Sequence, residues 1–397
     1  MTIALAKTAS ESPKTSSTEL CKRFASFLSP YLKAGVLIAV QAALFLGLST
    51  TWCVSPASAD VLISALPPGN AITDGKALLR YALPIDNTAV RRIQTSIEEI
   101  SEVLRARRRF GAINGNLAQA ERILNSRRSE LLTTVPDENK PQAEYLVLQL
   151  QNEINAMRQD VETKDKEAIW IRRGKMLDMV GQLEELMVQD FPFEVPAEYS
   201  NLPQLKGRAT VEVETSKGTM TLVVDGYSAP VTAGNFVDLV QRGFYDGLEF
   251  TRAEDFYVVQ IGDPPGEEEG FIDPNTGEYR AIPLEVLVEG DTEPTYGITL
   301  EDAGRYLDKP VLPFSAYGTL GMARPGEDAN GGSSQFFFFL FEPELTPAGL
   351  NLLDGRYAVF GYVIENKEVL EQLKQGDKII SAKVVKGAEN LVEPQAA

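Results

Sequence analysis

The sequence predicts a multidomain α + β protein in which an N-terminal antiparallel four-helix bundle is followed by a β domain. Three observations predict it. Four segments between residues 86 and 191 repeat apolar residues at helical spacing, the period shifts to strand-like alternation from about residue 207, and Pro-containing stretches at 60–85 and 192–206 read as linkers. A chain of 397 residues has room for two or three domains, each able to bury its own core.

The chain opens with a Ser-, Thr- and Lys-rich stretch followed by the apolar run Ala34 to Leu48. That run is 15 residues long, short of the ~20 that span a bilayer. Ala57-Ser58-Ala59 after it has the A-x-A form that signal peptidase accepts. Residues 1–59 therefore read as an export signal cleaved after Ala59, with an uncleaved anchor as the alternative. Cys21 and Cys53 both lie in this segment, so the exported chain has neither disulfides nor thiol chemistry, and no membrane span after cleavage.

The first helix of the bundle begins at Asp86 or Asn87 as N-cap, with Ile93, Ile97, Ile100 and Leu104 on one stripe. Further helices are expected over 113–133, 138–163 (Pro141 in the first turn) and 166–189, and Phe191-Pro192 ends the bundle at 191. In the β domain, 207–397, Thr210–Thr215 and Thr219–Val224 alternate on either side of Ser216-Lys217-Gly218, which is a hairpin signature. The Gly-, Pro- and acid-rich stretch 263–313 reads as a long insertion.

Composition removes whole classes of chemistry. With 38 basic against 56 acidic side chains the net charge is −18, which argues against a nucleic-acid partner. There is no histidine, hence no Ser-His-Asp or Cys-His catalysis and no HExxH zinc site. Charge is also divided unevenly: residues 80–190 hold 17 basic and 18 acidic side chains, residues 200–397 hold 15 and 32. The arginine clusters at 105–109, 127–128 and 172–173 are thus either a face that docks on the acidic domain or solvated helix surface paired with Glu102, Glu121 and Glu130.

Four runs in the β domain carry a family resemblance. They are Phe250-Thr251-Arg252 through Phe256-Tyr257-Val258-Val259-Gln260 to Gly262-Asp263, then Gly318 to Arg324 followed by Gly332-Ser333-Ser334-Gln335-Phe336-Phe337, then Leu353-Asp354-Gly355 to Gly361, with Ala229-Pro230 to Phe236 upstream. In this order over roughly 208–387 they resemble the cyclophilins. The resemblance implies a cyclophilin-like closed β-barrel with flanking helices and a peptidyl-prolyl cis/trans isomerase acting on proline-containing polypeptides. Paired with a helical bundle and an export signal, it is similar to the large thylakoid-lumen cyclophilins of cyanobacteria and chloroplasts, whose implied partners are photosystem II subunits. A periplasmic location is the alternative.

The chemistry of proline isomerisation suits a chain without His or Cys. Rotation about an X-Pro bond must break amide resonance, a barrier of ~18–20 kcal/mol, and needs no nucleophile, metal or cofactor. It is helped by an apolar cup for the ring and a fixed cation near the prolyl nitrogen as that atom becomes pyramidal. Arg252 is the expected cation and Gln260 the residue that orients it. Tyr257 or Phe256, with Val258, Phe337 and Leu353, form the cup, and Ala323, Arg324 and Gln335 line the groove. Several positions depart from the family: Thr251 and Tyr357 replace histidines, Val258 a methionine, and Leu352 the tryptophan associated with cyclosporin binding, so weak cyclosporin binding is expected. Arg252 also has a plainer reading as a surface ion pair with Glu249 or Glu254. A bundle docked on the cyclophilin domain and masking the groove, in a catalytically weak scaffold or chaperone, is the rival account of the whole.

Overall fold

The computed structural model describes residues 72–106, 110–267, 269–274, 276–341 and 351–394. The expected export signal, with both cysteines, lies outside the described residues. The helical part comprises α1 (Gly75–Ala82), α2 (Thr88–Glu98), α3 (Ile100–Arg105), α4 (Gly111–Ser126), α5 (Arg128–Thr133), α6 (Lys140–Thr163) and α7 (Lys166–Glu185). Asn87 caps α2 as the sequence suggests, its side-chain oxygen accepting from the N–H groups of Ala89 (3.1 Å) and Val90 (3.0 Å). The expected segment 113–133 is broken at Arg127, which leaves helical geometry (φ −118°, ψ 23°) and separates α4 from α5. Between α6 and α7 the chain reverses through Lys164 in the left-handed region (φ 57°), after which Asp165 caps α7 by accepting from the Ala168 N–H at 3.0 Å.

α2 packs on α4 and α7, and α6 packs on the same two helices. Their shared core contains the predicted stripe of Ile93, Ile97 and Ile100, together with Leu117, Leu124, Ile154, Met157, Met176 and Val180. Each such side chain contributes ~1.5–3 kcal/mol on burial.

The stretch 60–85 differs from its reading as a linker, because its described end contains α1. Asp74 caps this helix by accepting from the Lys76 N–H at 2.9 Å. Eight residues are too few for periodicity to reveal a helix, and one so short owes its stability to what it packs on. Here that is the sheet: Leu78, Leu79 and Ala82 join Phe314, Phe337, Phe339 and Tyr362 in one apolar cluster.

The β part contains β1 (Gln204–Leu205), β2 (Arg208–Thr215), β3 (Gly218–Asp225), α8 (Pro230–Gln241), β4 (Arg252–Glu254), β5 (Val258–Ile261), β6 (Glu285–Val286), β7 (Thr295–Tyr296), β8 (Thr319–Met322), β9 (Phe336–Phe339), β10 (Val359–Glu365), β11 (Ile379–Lys386) and β12 (Leu391–Val392). The predicted hairpin is β2–β3, in register from Arg208↔Asp225 to Thr215↔Gly218. Eight antiparallel strands run in the order β11-β2-β3-β10-β8-β9-β5-β4. This corrects the closed barrel: the sheet is an open half-barrel with β11 and β4 as its edges. β4 is only three residues long, so the ladder does not close. The preceding chain reaches β11 through separate backbone hydrogen bonds, from the Gly247 N–H to the Ile379 carbonyl (2.7 Å) and from the Phe250 N–H to that of Asp377 (2.8 Å).

Strand alternation gives the four-Phe run two destinations. Phe336 and Phe338 enter the main core with Phe236 of α8, Leu320 and Phe360, while Phe337 and Phe339 face the cluster that α1 covers. The stretch 263–313 is tied down by Glu285, whose buried carboxylate accepts from the N–H groups of Val231 (3.2 Å) and Thr232 (2.9 Å) in the first turn of α8.

Helical and β parts meet through α1 and a few ion pairs. Glu185 at the end of α7 lies 3.7 Å from Arg208 and 3.3 Å from Lys386, so at this contact the acid is on the helix. Of the two readings of the arginine clusters, local pairing holds for three of the described arginines. Arg127 pairs with Glu130, Arg172 with Glu153 (2.5 Å) and Asp160 (2.6 Å), and Arg173 donates to the carbonyls of Ile97 and Glu98 (both 3.2 Å).

Candidate active site

Arg252 and Gln260 face each other across the β4–β5 ladder. The Arg252 Nε–H donates to Glu254 Oε1 at 2.7 Å, and this hydrogen bond raises the guanidinium pKa further. The guanidinium carbon lies 5.7 Å from the centre of the Tyr257 ring, and 48% of the side chain is exposed. The surface ion pair anticipated for Arg252 is therefore present, with Glu254 as partner, while Glu249 pairs with Lys378 at 3.2 Å.

The turn between β4 and β5 sends the two aromatics in different directions. The Tyr257 N–H donates to the Glu254 carbonyl at 3.1 Å, which places Phe256 in the left-handed region at φ 61°. Phe256 is 75% exposed and lines a separate cleft of about 320 Å³ with Tyr317, Leu340, Leu370 and Leu373. Tyr257 is the aromatic brought to Arg252. Its ring also meets Phe339 edge-on, at 6.3 Å.

Gln260 does not hold Arg252. Its amide nitrogen donates to Gln335 Oε1 at 2.8 Å, and Gln335 in turn donates to Asp263 Oδ1 (3.2 Å) and to the Glu269 carbonyl (2.8 Å). The β5 strand can leave this network so sharply because Gly262 follows it at φ 106°, where a Cβ would stand 2.2 Å from the Ser334 carbonyl oxygen. Burial, then the nearby Glu269, raises the pKa of Asp263.

An apolar shelf is built from β5, β9 and the 351–357 loop. Val258 and Phe337 are buried and Leu353 is half-buried in the same cluster. Phe314 stacks on Phe337 (5.8 Å, interplanar angle 3°), and Tyr357 meets Phe337 edge-on at 5.5 Å. Arg324 lies 5.3 Å over the Tyr357 ring, and its Nε and Nη2 donate to the Arg356 carbonyl at 3.0 and 2.8 Å. Ala323 is bound through its N–H to the Gln335 carbonyl at 2.9 Å. Leu352 stands apart, 87% exposed.

Two contributors escaped the sequence reading. Phe314 sits in a stretch with no periodic signal, and Asp354 shows in the sequence only as part of the Leu353-Asp354-Gly355 motif. The Asp354 carboxylate accepts from the N–H groups of Phe314 (2.8 Å) and Asn351 (3.1 Å), so it fastens the loop carrying Leu352 and Leu353 to the ring behind Phe337. Burial pushes its pKa up to about 6 against the lowering effect of these two bonds.

Comparison with known families gives two matches. Residues 74–188 match the PsbQ-like domain of CYP38-like peptidyl-prolyl cis-trans isomerases, and residues 210–389 match the cyclophilin-type peptidyl-prolyl cis-trans isomerase family. A Synechocystis protein named as a thylakoid lumen peptidyl-prolyl cis-trans isomerase is 56% identical over 364 residues, 91% of this chain and 96% of that protein. The chain belongs to the CYP38-like cyclophilin family. Its Arabidopsis thaliana member CYP38, a chloroplast peptidyl-prolyl cis-trans isomerase, is 45% identical over 342 residues, covering 84% of this chain and 78% of CYP38. Arabidopsis CYP37, also chloroplastic, is 33% identical over 392 residues, with 91% and 80% covered. As a CYP38-like cyclophilin the protein is a peptidyl-prolyl cis-trans isomerase of the thylakoid lumen, and among its described residues no helix is long and apolar enough to cross a membrane.

Proposed function

We propose that this CYP38-like cyclophilin isomerises X-Pro bonds in lumenal polypeptides, photosystem II subunits among them, at the groove between Arg252 and the Tyr257–Val258–Phe337–Leu353 shelf. The observation that carries this reading is a half-exposed guanidinium held over Tyr257, whose ring meets Phe339 of the apolar cluster that also holds Val258, Phe337 and Leu353. A proline ring seated on that surface would bring its nitrogen to Arg252. As resonance is lost the nitrogen gains electron density, and a guanidinium hydrogen bond made at that moment lowers the barrier without any covalent step. Gln260 and Gln335, linked amide to amide, offer polar contacts to the flanking peptide.

The helical part is proposed to be an antiparallel four-helix bundle of α2, α4, α6 and α7, a domain spanning 86–191 ahead of a cyclophilin domain spanning 207–397. The mutual packing of these four helices supports that reading. A second function, binding without turnover, draws on one feature: Phe314 lies flat on Phe337 and thickens the groove floor.

A reporter in the groove tests the binding step. Leu352→Trp places an indole at an exposed rim position. Titration with a peptide containing one Ala-Pro bond should change the introduced indole's emission, and the change should vanish in Leu352→Trp combined with Tyr257→Ala. Peptide binding that leaves this emission untouched would place the substrate elsewhere.

A further inference from the structure

The residue that holds Arg252 is not the one its strand register offers. Gln260, directly opposite, is committed to Gln335 and through it to Asp263 and the Glu269 carbonyl. Glu254 lies two residues along β4, on the same face as Arg252, and takes the Nε–H at 2.7 Å. Among the described residues Nε is the only engaged nitrogen of that guanidinium, so its Nη groups are left for a ligand.

We propose that Glu254 is a positioning residue for isomerisation, fixing the Arg252 guanidinium over Tyr257 with both Nη groups turned to the groove. The proposal rests on the reading of Arg252 as the groove's cation. A free arginine side chain carries ~2 kcal/mol of rotamer entropy, and an acceptor at Nε removes part of that loss before the transition state forms. Because the guanidinium keeps its charge in any case, what Glu254 supplies is direction. A neutral acceptor of the same length should therefore do nearly as well.

The test is a double-mutant cycle in the exported chain, residues 60–397, with kcat and KM measured on a tetrapeptide containing one Ala-Pro bond. Glu254→Ala should lower kcat about fivefold, the scale of an exposed ion pair, with KM little changed. Glu254→Gln should restore kcat to within about twofold of wild type. In an Arg252→Ala background Glu254→Ala should have no further effect. Thermal melts of each variant exclude loss of fold as the cause. If Arg252→Ala abolishes turnover while Glu254→Ala matches wild type, the positioning role is wrong and the groove reading stands. If Glu254→Gln loses as much as Glu254→Ala, charge and not direction is at work, which also overturns the proposal. Full activity in Arg252→Ala would remove the groove reading itself.

Discussion

Phe337 is held by Phe314 on one face and by the edge of Tyr357, so the ring proposed as groove wall is also part of the core. Phe337→Ala should cost about 3–5 kcal/mol of stability. Arg252→Ala, at an exposed ion pair, should stay within about 1 kcal/mol of wild type, and urea titration of both variants reads the difference. Leu352 presents a complementary case. It is exposed and without a core role, so Leu352→Trp should leave stability unchanged while strengthening cyclosporin binding by roughly tenfold, the equivalent of ~1.4 kcal/mol. Calorimetric titration that finds no gain would show that this rim position is not what limits the ligand. At this scale the sequence was most legible where neighbours in the chain are neighbours in space: Arg252, Tyr257 and Gln260 fall within nine residues, and the structure brings them to one strand pair and its turn. Glu254 was visible only as a bland ion-pair partner. Phe314 and Asp354 were not legible as site residues, because the contact of Phe314 with Phe337 and that of Asp354 with Phe314 cross tens of residues.

α1 is the element the sequence concealed, since its meaning lies entirely in docking. Gly75 gives that docking a sign. In an isolated helix Gly→Ala is stabilising by about 1 kcal/mol, but here an added Cβ would stand 2.7 Å from Tyr362 Cβ. Gly75→Ala should therefore destabilise the protein, by about 1–3 kcal/mol; stabilisation in a thermal melt would mean that α1 does not rest on β10. The β4–β5 turn carries strain of another kind, with Phe256 at φ 61°. Relief of a left-handed conformation is worth ~1–2 kcal/mol, partly offset by the entropy of a glycine in the unfolded chain. Phe256→Gly should thus be neutral or stabilising by up to about 1 kcal/mol, although it removes a whole aromatic side chain. The helices were legible because their apolar stripes are long. The open edge of the sheet was not, because whether eight short strands close depends on the length of β4 and on how the chain at 247–251 meets β11.

Over the whole molecule, buried carboxylates tie separate parts together. Glu184 of α7 is fully buried, 3.1 Å from Arg91 of α2, and burial raises its pKa to about 7 against the pull of Arg91 and Arg80. Glu285 joins the 263–313 stretch to α8, and burial likewise raises it to about 7 against its backbone hydrogen bonds. Both folded values lie above those of unfolded glutamate, so the folded state holds these protons more tightly. The stability they contribute is complete below the unfolded pKa, near 4.3, and is lost as pH rises through about 7. Melting temperature should therefore climb as pH falls from 8 to 5.5, by an amount on the order of a few kcal/mol in free energy. Glu285→Gln should flatten part of that slope, and a slope unchanged in the variant would assign the effect to other groups. In a lumenal protein this makes acidification a stabilising condition.

Arg252 remains half exposed beside the helical part, and of its clustered arginines Arg127, Arg172 and Arg173 are engaged with Glu130, Glu153, Asp160 and helix carbonyls. Turnover by residues 60–397, with the helices attached, therefore tests the groove directly. The measurement is a protease-coupled prolyl isomerase assay on residues 60–397, wild type beside Arg252→Ala at equal concentration. Wild-type acceleration that drops by roughly a hundredfold in Arg252→Ala, the scale of losing one preorganised donor, is the predicted result. Equal rates in the two proteins, with both folded, would contradict it.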